Sequence, residues 1–389
     1  MSPRRARWIA VLHLAAIYVL SNLPTPLYAL YRRAFGLSEL MITIIFSVYV
    51  VGSIAVMFFL GRLSDQIGRR VVVVSSAVIG VIAAVLFMLA TSTPWLFAAR
   101  IVSGVSIALV TGATTAWLLE LDPRGDASTA ARLAIVGNLF GLGIGPIIGG
   151  CLARWAPWPR GLSYVAFVVL LAPLAVLVWR APETLRDRKG WRELSLAPRL
   201  GVPREIRRQF LPAALGAFAI FAVLGFYGAI VPSLMSKVLH VDNVAIAGAI
   251  VGEAYIVGTI AVAVVRKLDV RRWLVVALAS LVPGLALLVA AQLARSMALL
   301  VIATAVTGAA GGFGYRACLQ LVNEIAPKDR RSEVVSAFVI ACYLAISIPV
   351  IGVGLLGAAS SLSIAIIAFA CLVGAMAIAA LVAEVAIAH

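Results

Sequence analysis

Glu253 is the residue whose type and position most directly suggest chemistry in this sequence. It lies about ten residues into an apolar stretch, 243–265; at about 1.5 Å per helical residue, this places it near the middle of a bilayer. Because an ionised carboxylate is costly in hydrocarbon, an acid at that depth is suited to taking up and releasing a proton. The alternative is a structural acid that is hydrogen-bonded where two helices meet. We predict that Glu253 couples the protein to protons.

The decapeptide GRLSDQIGRR, residues 61–70, is a second candidate functional element. Its two glycines permit a tight turn. Its aspartate can accept hydrogen bonds from a helix N-terminus, and its paired arginines can reach carboxylates such as Glu120 or Asp122 in a neighbouring loop. A loop that needed only basic residues would not require glycines, a leucine and an aspartate at these spacings. We predict that this loop does more than set the topology, and its candidate residues are Gly61, Asp65, Gly68, Arg69, Arg70 and Glu120.

Residues 141–150, GLGIGPIIGG, place helix-breaking residues inside an apolar stretch. Gly141, Gly145 and Gly149 recur every four residues and so form a bare groove on one helix face. Helices in lipid pack closely through such small residues. Pro146 adds a bend whose freed backbone groups can be satisfied inside a helix bundle.

Membrane-spanning helices must position these residues. The chain has 389 residues, a mean hydropathy of +1.08 and 12% charged residues, against about 25% in soluble proteins. Its first apolar stretch is too long for a signal peptide and lacks a small-residue cleavage site. We predict an all-α membrane protein with twelve transmembrane helices at residues 8–28, 38–60, 71–91, 95–119, 133–153, 161–180, 210–232, 243–265, 273–292, 297–318, 334–355 and 361–383.

The charge distribution predicts the orientation of these spans. The formal net charge is +16; with the N-terminus inside, 24 of the 32 lysines and arginines lie in inner segments and 6 in outer loops. Because cytoplasmic loops are enriched in basic residues, both termini are predicted to be cytoplasmic. The excess charge is therefore a topology signal and does not indicate binding to nucleic acid.

The two halves of the chain look like copies. YVVGSIAV (49–56) and YIVGTIAV (255–262) share six of eight residues at an offset of 206. Similar offsets relate Pro26 to Pro232, Glu120 to Glu324 and Pro146 to Pro349. Such parallel repeats place a substrate site near the bilayer midplane. We predict a six-helix bundle over 1–180, a cytoplasmic linker over 181–208 and a second six-helix bundle over 209–389.

These features together resemble the major facilitator superfamily. GRLSDQIGRR matches that family's loop G-x-L-x-D-(R/K)-x-G-R-(R/K), except that Gln66 replaces a basic residue. The resemblance implies that the candidate residues of this loop and Glu120 form a cytoplasmic gate. In it Asp65 and Arg69 belong to a latch that holds the halves closed on the inside, and Gln66 weakens that latch. The corresponding loop RKLDVRR (266–272) keeps the leucine, the aspartate and two arginines but lacks the glycines.

The glycine-rich stretch resembles the span-five motif of the superfamily's drug:proton antiporters. That resemblance implies an interface hinge that meets the small residues of span eight, with the motif residues Gly141, Gly145, Pro146, Gly149 and Gly150. Arg100, four residues before Gly104, resembles an intramembrane arginine that tunes proton release in these antiporters; alternatively its side chain extends to the outer surface. Span one has no acid, so proton coupling would depend on Glu253 or on Asp65.

Spans one, four, seven and ten line the cavity in this family. Their polar and aromatic residues predict an amphipathic, mostly uncharged pocket, although each residue could serve packing instead. The candidates are Tyr18, Asn22, Thr111, Thr114, Trp117, Phe226, Tyr227, Phe313 and Tyr315, with Asn138 from span five. A phosphate or dicarboxylate transporter would need more cations in its cavity. No nucleotide-binding loop is present, and we predict neither a metal nor a cofactor.

We therefore predict a secondary active transporter of the bacterial inner membrane. It would exchange protons for a lipophilic or amphipathic small molecule by alternating access, as a monomer. Proton-coupled import of a small organic solute is the alternative, and a membrane-embedded sensor or enzyme is a remote one. An enzyme would need converging catalytic groups that the spans lack. The sequence does not name the substrate.

Overall fold

The structure is a computed structural model that describes residues 1–185, 187–188, 193–195, 201–265, 269–327 and 330–388. Within these ranges the chain forms sixteen α-helices. The first nine are α1 Pro3–Asn22, α2 Tyr28–Phe35, α3 Glu39–Ser47, α4 Tyr49–Leu60, α5 Leu63–Ile67, α6 Arg69–Met88, α7 Thr93–Glu120, α8 Ala127–Trp155 and α9 Leu162–Trp179. The others are α10 Arg207–Ala229, α11 Val231–Lys237, α12 Val244–Val264, α13 Val270–Leu293, α14 Met297–Ile325, α15 Arg331–Ala359 and α16 Leu362–Ala388.

The predicted all-α membrane fold is confirmed. In the described part of the chain, eleven helical segments are long and apolar enough to cross a membrane, with α3 and α4 forming one of them across a break at Val48. The remaining predicted span is α1, a 20-residue helix whose first turns carry arginines that lower its hydropathy. It ends at Asn22, before Pro24 and Pro26, whereas the sequence predicted a span to residue 28.

The described residues group into two compact units. The first comprises Met1–Leu27 and Val48–Pro198, and the second comprises Tyr28–Ser47 and Arg199–His389. The sequence-based division assigned all of 1–180 to the first bundle. The segment 28–47 instead packs within the second unit, where α3 lies along α15 and the Ser347 hydroxyl donates to the Ser47 carbonyl at 3.3 Å.

Each unit contains the same close contact between two helices. In the first unit, Gly52 of α4 and Gly104 of α7 approach so closely that a Cβ atom on either would overlap the partner backbone. In the second unit, Gly258 of α12 and Gly308 of α14 do the same. Gly52 and Gly258 belong to the repeated octapeptides, so the repeats occupy equivalent places in their units.

Candidate functional site

The gate loop, residues 61–70, lies on one face of the first unit, which we call the inner face. Gly61 ends α4, and Gly68 separates α5 from α6. Gly68 has a φ of +117°, a conformation that L side chains rarely adopt. A Cβ atom at this position would also overlap the carboxylate of Glu183. Glycine therefore lets Glu183 approach the first turn of α6.

Glu183 caps the N-terminus of α6. Its two carboxylate oxygens accept the backbone N–H groups of Arg69 at 3.0 Å and Arg70 at 3.2 Å. These N–H groups have no partner within the helix, and a negative charge there opposes the positive end of the helix dipole. We did not predict this role, because Glu183 lies more than 110 residues away in sequence. Its only sequence signal is the short motif PET (182–184).

Arg69 joins three parts of the inner face and makes the expected contact with Glu120. Its Nη2 donates to Glu120 at the end of α7, at 2.8 Å, and its Nη1 donates to the Ser64 hydroxyl at 2.8 Å. Asp65 forms an ion pair with the same guanidinium. Arg70 donates to the carbonyls of Trp179 and Ala181, each at 3.2 Å, and so closes the end of α9.

Gln66, the departure from the family pattern, has a structural partner. Its side-chain nitrogen donates to the Ser195 carbonyl at 3.0 Å, and its side-chain oxygen accepts the Ser195 N–H at 2.8 Å. An amide can make this reciprocal pair, whereas a basic side chain supplies only donors. Gln66 thus ties the gate loop to the linker. The corresponding loop of the second half lies partly outside the described residues, at 266–268; its Asp269 caps α13 by accepting the Arg272 N–H at 3.2 Å.

Arg100 is fully buried inside the first unit, with 0% of its surface exposed. Its Nη1 donates to the Ser21 carbonyl of α1 at 2.6 Å, and its guanidinium lies 5.8 Å from the Tyr49 ring centroid and 5.9 Å from that of Phe87. The alternative of a side chain that extends to the outer surface is therefore wrong. A carbonyl dipole and two ring faces stabilise the charge in its place.

The predicted cavity residues of the first unit are only partly brought together. The Tyr18 hydroxyl of α1 lies 2.8 Å from the Thr111 hydroxyl of α7. Asn22, one turn further along α1, donates to the Leu142 carbonyl of α8 at 3.2 Å. Thr114 is buried and its hydroxyl has no hydrogen-bond partner in the described part of the chain, and Asn138 of α8 is half-buried.

Glu253 lies midway along α12 in the second unit and is half-buried. Among the described residues it makes no hydrogen bond or ion pair. It lies within electrostatic range of Tyr227 of α10, whose hydroxyl is 3.0 Å from the Thr307 hydroxyl of α14. The Thr307 hydroxyl also donates to the Ala303 carbonyl of its own helix at 2.7 Å, so a buried pair of hydroxyls joins α10 to α14.

Glu384 provides a contrast with Glu253. It lies in α16 with 3% of its side chain exposed, and it forms an ion pair with Arg271 at 3.3 Å. The predicted span 361–383 ends just before this acid, whereas the spanning segment Leu362–Ala386 includes it. Arg271 therefore compensates the charge of Glu384, whereas Glu253 has no ion-pair partner among the described residues.

The aromatic candidates of the second unit serve packing. Phe226 stacks on Phe369 of α16 with ring centroids 4.7 Å apart. Phe313 packs on Trp273 of α13 at 4.5 Å, and Tyr315 packs on Phe221 of α10 at 4.9 Å. Two positions along a helix are about 200° apart around its axis, so Phe313 and Tyr315 project from α14 towards different neighbours. They do not form one cavity wall.

The glycine row of span five faces α1. A Cβ atom at Gly141, Gly145 or Gly149 would overlap the backbone carbonyls of Ala15, Val19 and Leu23, respectively. The three glycines share one bare face, as their four-residue spacing indicates, and within the first unit α1 occupies it; a meeting with span eight stays a prediction. The helix continues through Pro146 from residue 127 to 155, and Pro146 and Gly150 are buried.

A charge cluster that we did not predict joins α2 and α3 to α11 in the second unit. Glu39 forms ion pairs with Arg32 and with Lys237, each at 2.7 Å, and it accepts a hydrogen bond from the Ser233 hydroxyl at 2.8 Å. The neighbouring Arg33 pairs with Asp242. Arg32 and Lys237 belong to predicted outer loops, and the ion pairs that both form with Glu39 became visible only once the helices were placed.

The eleven spanning segments of the described residues, together with α1 and the same helix contact in each unit, define a duplicated helical membrane protein. The chain belongs to the Major Facilitator Superfamily, whose family model matches residues 10–349. Two solved structures share the fold: a bacterial homologue of the human lysosomal transporter Spinster, inward-facing, in unoccupied and occupied forms. Their TM-scores are 0.72 and 0.71 at 15% and 16% identity, and each comparison covers 98% of this chain and 97% of the other. As predicted, the chain belongs to a family of transporters and not of enzymes.

Curated relatives match parts of the chain. Multidrug resistance protein MdtM of Salmonella typhimurium is 32% identical over 36% of this chain and 34% of its own length. Efflux pump radE of Floropilus chiversii is 31% identical over 55% of this chain and 44% of its own length. Chloramphenicol resistance protein CraA of Acinetobacter baumannii is 25% identical over 40% and 38%. The chain therefore spans less than half the length of each of these relatives.

Proposed function

We propose that this protein exports lipophilic or amphipathic small molecules from a bacterial cell in exchange for protons. It would act as a monomer in the inner membrane, with both termini in the cytoplasm. The observation that carries the proposal is Glu253, an acid midway along a spanning helix that has no cation partner among the described residues. A carboxyl group of this kind is neutral when protonated and costly to ionise in a membrane.

The neighbours of Glu253 suit a proton carrier. The Tyr227 hydroxyl lies within electrostatic range of Glu253, and because a hydroxyl is both donor and acceptor it suits either protonation state of the carboxyl group. Proton binding from outside would neutralise the carboxylate and favour one conformation. Proton release to the inside would restore the charge and favour the other.

The substrate class follows from the polar groups of the first unit. Tyr18, Thr111, Asn22 and Thr114 supply hydroxyl and amide groups without a carboxylate. Such groups suit an uncharged or weakly polar solute. The names of the relatives, which refer to multidrug resistance, efflux and chloramphenicol resistance, support the same class and the outward direction.

Arg100 and the gate have supporting roles in this proposal. Arg100 holds the Ser21 carbonyl beside Asn22 and so fixes the part of α1 that would meet the solute, while its charge tunes proton release. Asp65, Arg69 and Glu120 form the latch that closes the inner side, and opening would require their ion pairs to rearrange.

Transport by Glu253→Gln tests the proposal. The purified chain would be reconstituted into proteoliposomes, and the movement of radiolabelled chloramphenicol and of ethidium would be followed under an imposed proton gradient. Glutamine keeps the shape of the side chain but cannot carry a proton. We therefore expect gradient-driven transport to be lost while exchange of solute without a gradient continues.

Glu205→Gln is the matched control, because it removes an exposed acid that precedes α10. It should transport like the wild type. Gradient-driven transport by Glu253→Gln at the wild-type rate would remove this acid from the mechanism. Movement of the solute in the direction opposite to the protons would support export. Movement of the solute in the same direction as the protons would support import instead.

A further inference from the structure

A cleft of about 350 Å³ opens on the inner face of the first unit, beside the start of α1. Residues of α1, of the loop between α7 and α8, and of α8 line it. None of the residues that line this cleft has so far been assigned to proton coupling, the gate, the glycine row or the polar pocket. Its chemistry therefore requires a separate explanation.

The cleft has an excess of positive charge. Arg7 donates to Asp122 at 3.1 Å, and the Asp122 side chain is 6% exposed, so these two charges compensate each other. Arg4 and Arg124 also line the cleft and are exposed. Neither guanidinium makes a hydrogen bond or an ion pair with a described residue. Two cations are thus available to an anionic ligand.

A rigid turn presents Arg124. The Gly125 N–H donates to the Asp122 carbonyl at 3.0 Å, and Pro123 and Gly125 occupy the second and fourth turn positions that suit them. Gly125 has a φ of +61°, and the Asp122 carboxylate accepts the Arg124 N–H at 3.3 Å. Asp126 then caps α8 immediately after the turn. Because the backbone on both sides of Arg124 is fixed, little ordering is needed when a ligand binds.

The remaining wall of the cleft is apolar. Trp8, 54% exposed on α1, and Leu133 of α8 both line it. Tryptophan favours the membrane–water interface, where lipid phosphates lie. A free phosphate ion needs only the arginines, whereas a phospholipid also brings glycerol and acyl groups that such a wall can contact.

We propose that this cleft binds a phosphate group, and that the phosphate belongs to the headgroup of an anionic phospholipid in the inner leaflet. Arg4 and Arg124 bind the phosphate oxygens, since planar guanidinium groups match that geometry. Trp8 and Leu133 contact the glycerol and upper acyl region. A basic pocket beside a spanning helix on the cytoplasmic side is suited to such lipids.

Native mass spectrometry of the full chain tests this site. Retention of phosphatidylglycerol would be compared with that of phosphatidylcholine in an uncharged detergent, and binding of inorganic phosphate alone would be measured by phosphorus NMR line broadening. For the double variant Arg4→Gln/Arg124→Gln we expect retention of phosphatidylglycerol to fall roughly tenfold, with little change for phosphatidylcholine. Arg204→Gln/Arg208→Gln is the matched control, since it removes the same charge near the start of α10 but leaves the cleft intact; it should behave like the wild type.

Trp8→Ala separates the two sources of phosphate. It keeps both arginines, so it also provides a test if the double variant does not fold. Reduced phosphatidylglycerol retention with unchanged binding of inorganic phosphate supports the lipid headgroup. Phosphate binding that depends on the arginines, without a difference in lipid retention, assigns the site to a free phosphate. If both double variants and the wild type retain lipid and bind phosphate equally, the proposal is overturned.

Discussion

Arg69 and Glu120 are joined by two hydrogen bonds to one carboxylate oxygen, from Nη2 at 2.8 Å and from Nε at 3.1 Å, although 51 positions separate them in sequence. The Arg69 side chain is 10% exposed and that of Glu120 is 34% exposed. Charge-assisted pairs with this geometry are stronger than those between freely exposed side chains. The pair therefore holds the start of α6 to the end of α7.

Glu120→Gln is expected to destabilise the first unit by about 1 kcal/mol, because it removes one charge of a partly exposed pair. Thermal unfolding in detergent measures the change. Glu324→Gln is the matched control: Glu324 is the repeat counterpart and accepts only from the neighbouring Gln320, at 3.0 Å, among the described residues. Equal unfolding temperatures for both variants would contradict the assignment.

Gly68→Ala is expected to be strongly destabilising at the gate loop. The φ of +117° requires glycine, and a side chain there costs about 1–3 kcal/mol; the added Cβ would also displace Glu183 from the α6 N-terminus. Hydrogen exchange of the first turn of α6 reports the lost cap directly. Gly201→Ala serves as control because a Cβ at that position meets no atom within 4 Å. Unchanged protection in Gly68→Ala would show that Glu183 does not stabilise this turn.

Gly145→Ala and Gly112→Ala should change stability in opposite directions. At Gly145 a methyl group overlaps the Val19 carbonyl of α1, so α8 must move away at a cost of about 1–3 kcal/mol. At Gly112 of α7 a Cβ meets nothing within 4 Å, so alanine should stabilise the helix by about 0.5–1 kcal/mol. Unfolding temperatures of the two variants decide the matter, and a stabilised Gly145→Ala would refute the close packing of α1 on α8.

Glu39 should couple more strongly to Arg32 than to Lys237. Both cations lie 2.7 Å from its carboxylate, but the Arg32 side chain is 24% exposed whereas that of Lys237 is 48% exposed. Solvent screens the more exposed pair. Double-mutant cycles built on Glu39→Gln, with Arg32→Gln or Lys237→Gln, measure each coupling energy. A larger coupling to Lys237 would mean that exposure does not decide the strength of this cluster.

Asp126 should make the start of α8 sensitive to acid. Hydrogen bonds from the hydroxyl and the backbone N–H of Thr129, and from the Ser128 N–H, lower the pKa of Asp126. The stabilisation is present above the unfolded pKa of about 3.9 and is lost as the pH falls through the lower folded pKa. Asp126→Asn keeps an N-cap acceptor but does not titrate. The difference in unfolding temperature between wild type and Asp126→Asn should shrink as the pH falls from 5 to 3. A difference that stays constant over this range would contradict the stabilising role of the Asp126 carboxylate.

The gate loop shows which contacts can be predicted from residue spacing and which cannot. The pairing of Arg69 with Glu120 followed from placing two loops on one side of the membrane. The capping role of Glu183 could not be predicted. A carboxylate caps a helix only if the fold places it at that helix N-terminus, and Glu183 reaches α6 because α9 packs so that it ends beside α6. Gln66 was expected to weaken a latch, and its bond to Ser195 depends on where the linker runs.

The glycine row illustrates the same limit. A period of four residues determines that Gly141, Gly145 and Gly149 share a face, and the structure confirms it. Periodicity does not predict which helix packs on that face. Any neighbouring helix whose backbone can approach closely at the same depth in the membrane would fit. In this protein the occupant is α1.

The amino-acid sequence by itself determined the number, length and order of the membrane helices, because each must carry about 20 apolar residues wherever it lies. It also determined the internal repeat and the depth of Glu253 along its span. Only the tertiary structure decided which helices touch, which polar groups meet and which charges are compensated. Those outcomes depend on contacts between residues far apart in the chain, and in lipid such contacts depend on the fit of facing surfaces, which no local pattern encodes.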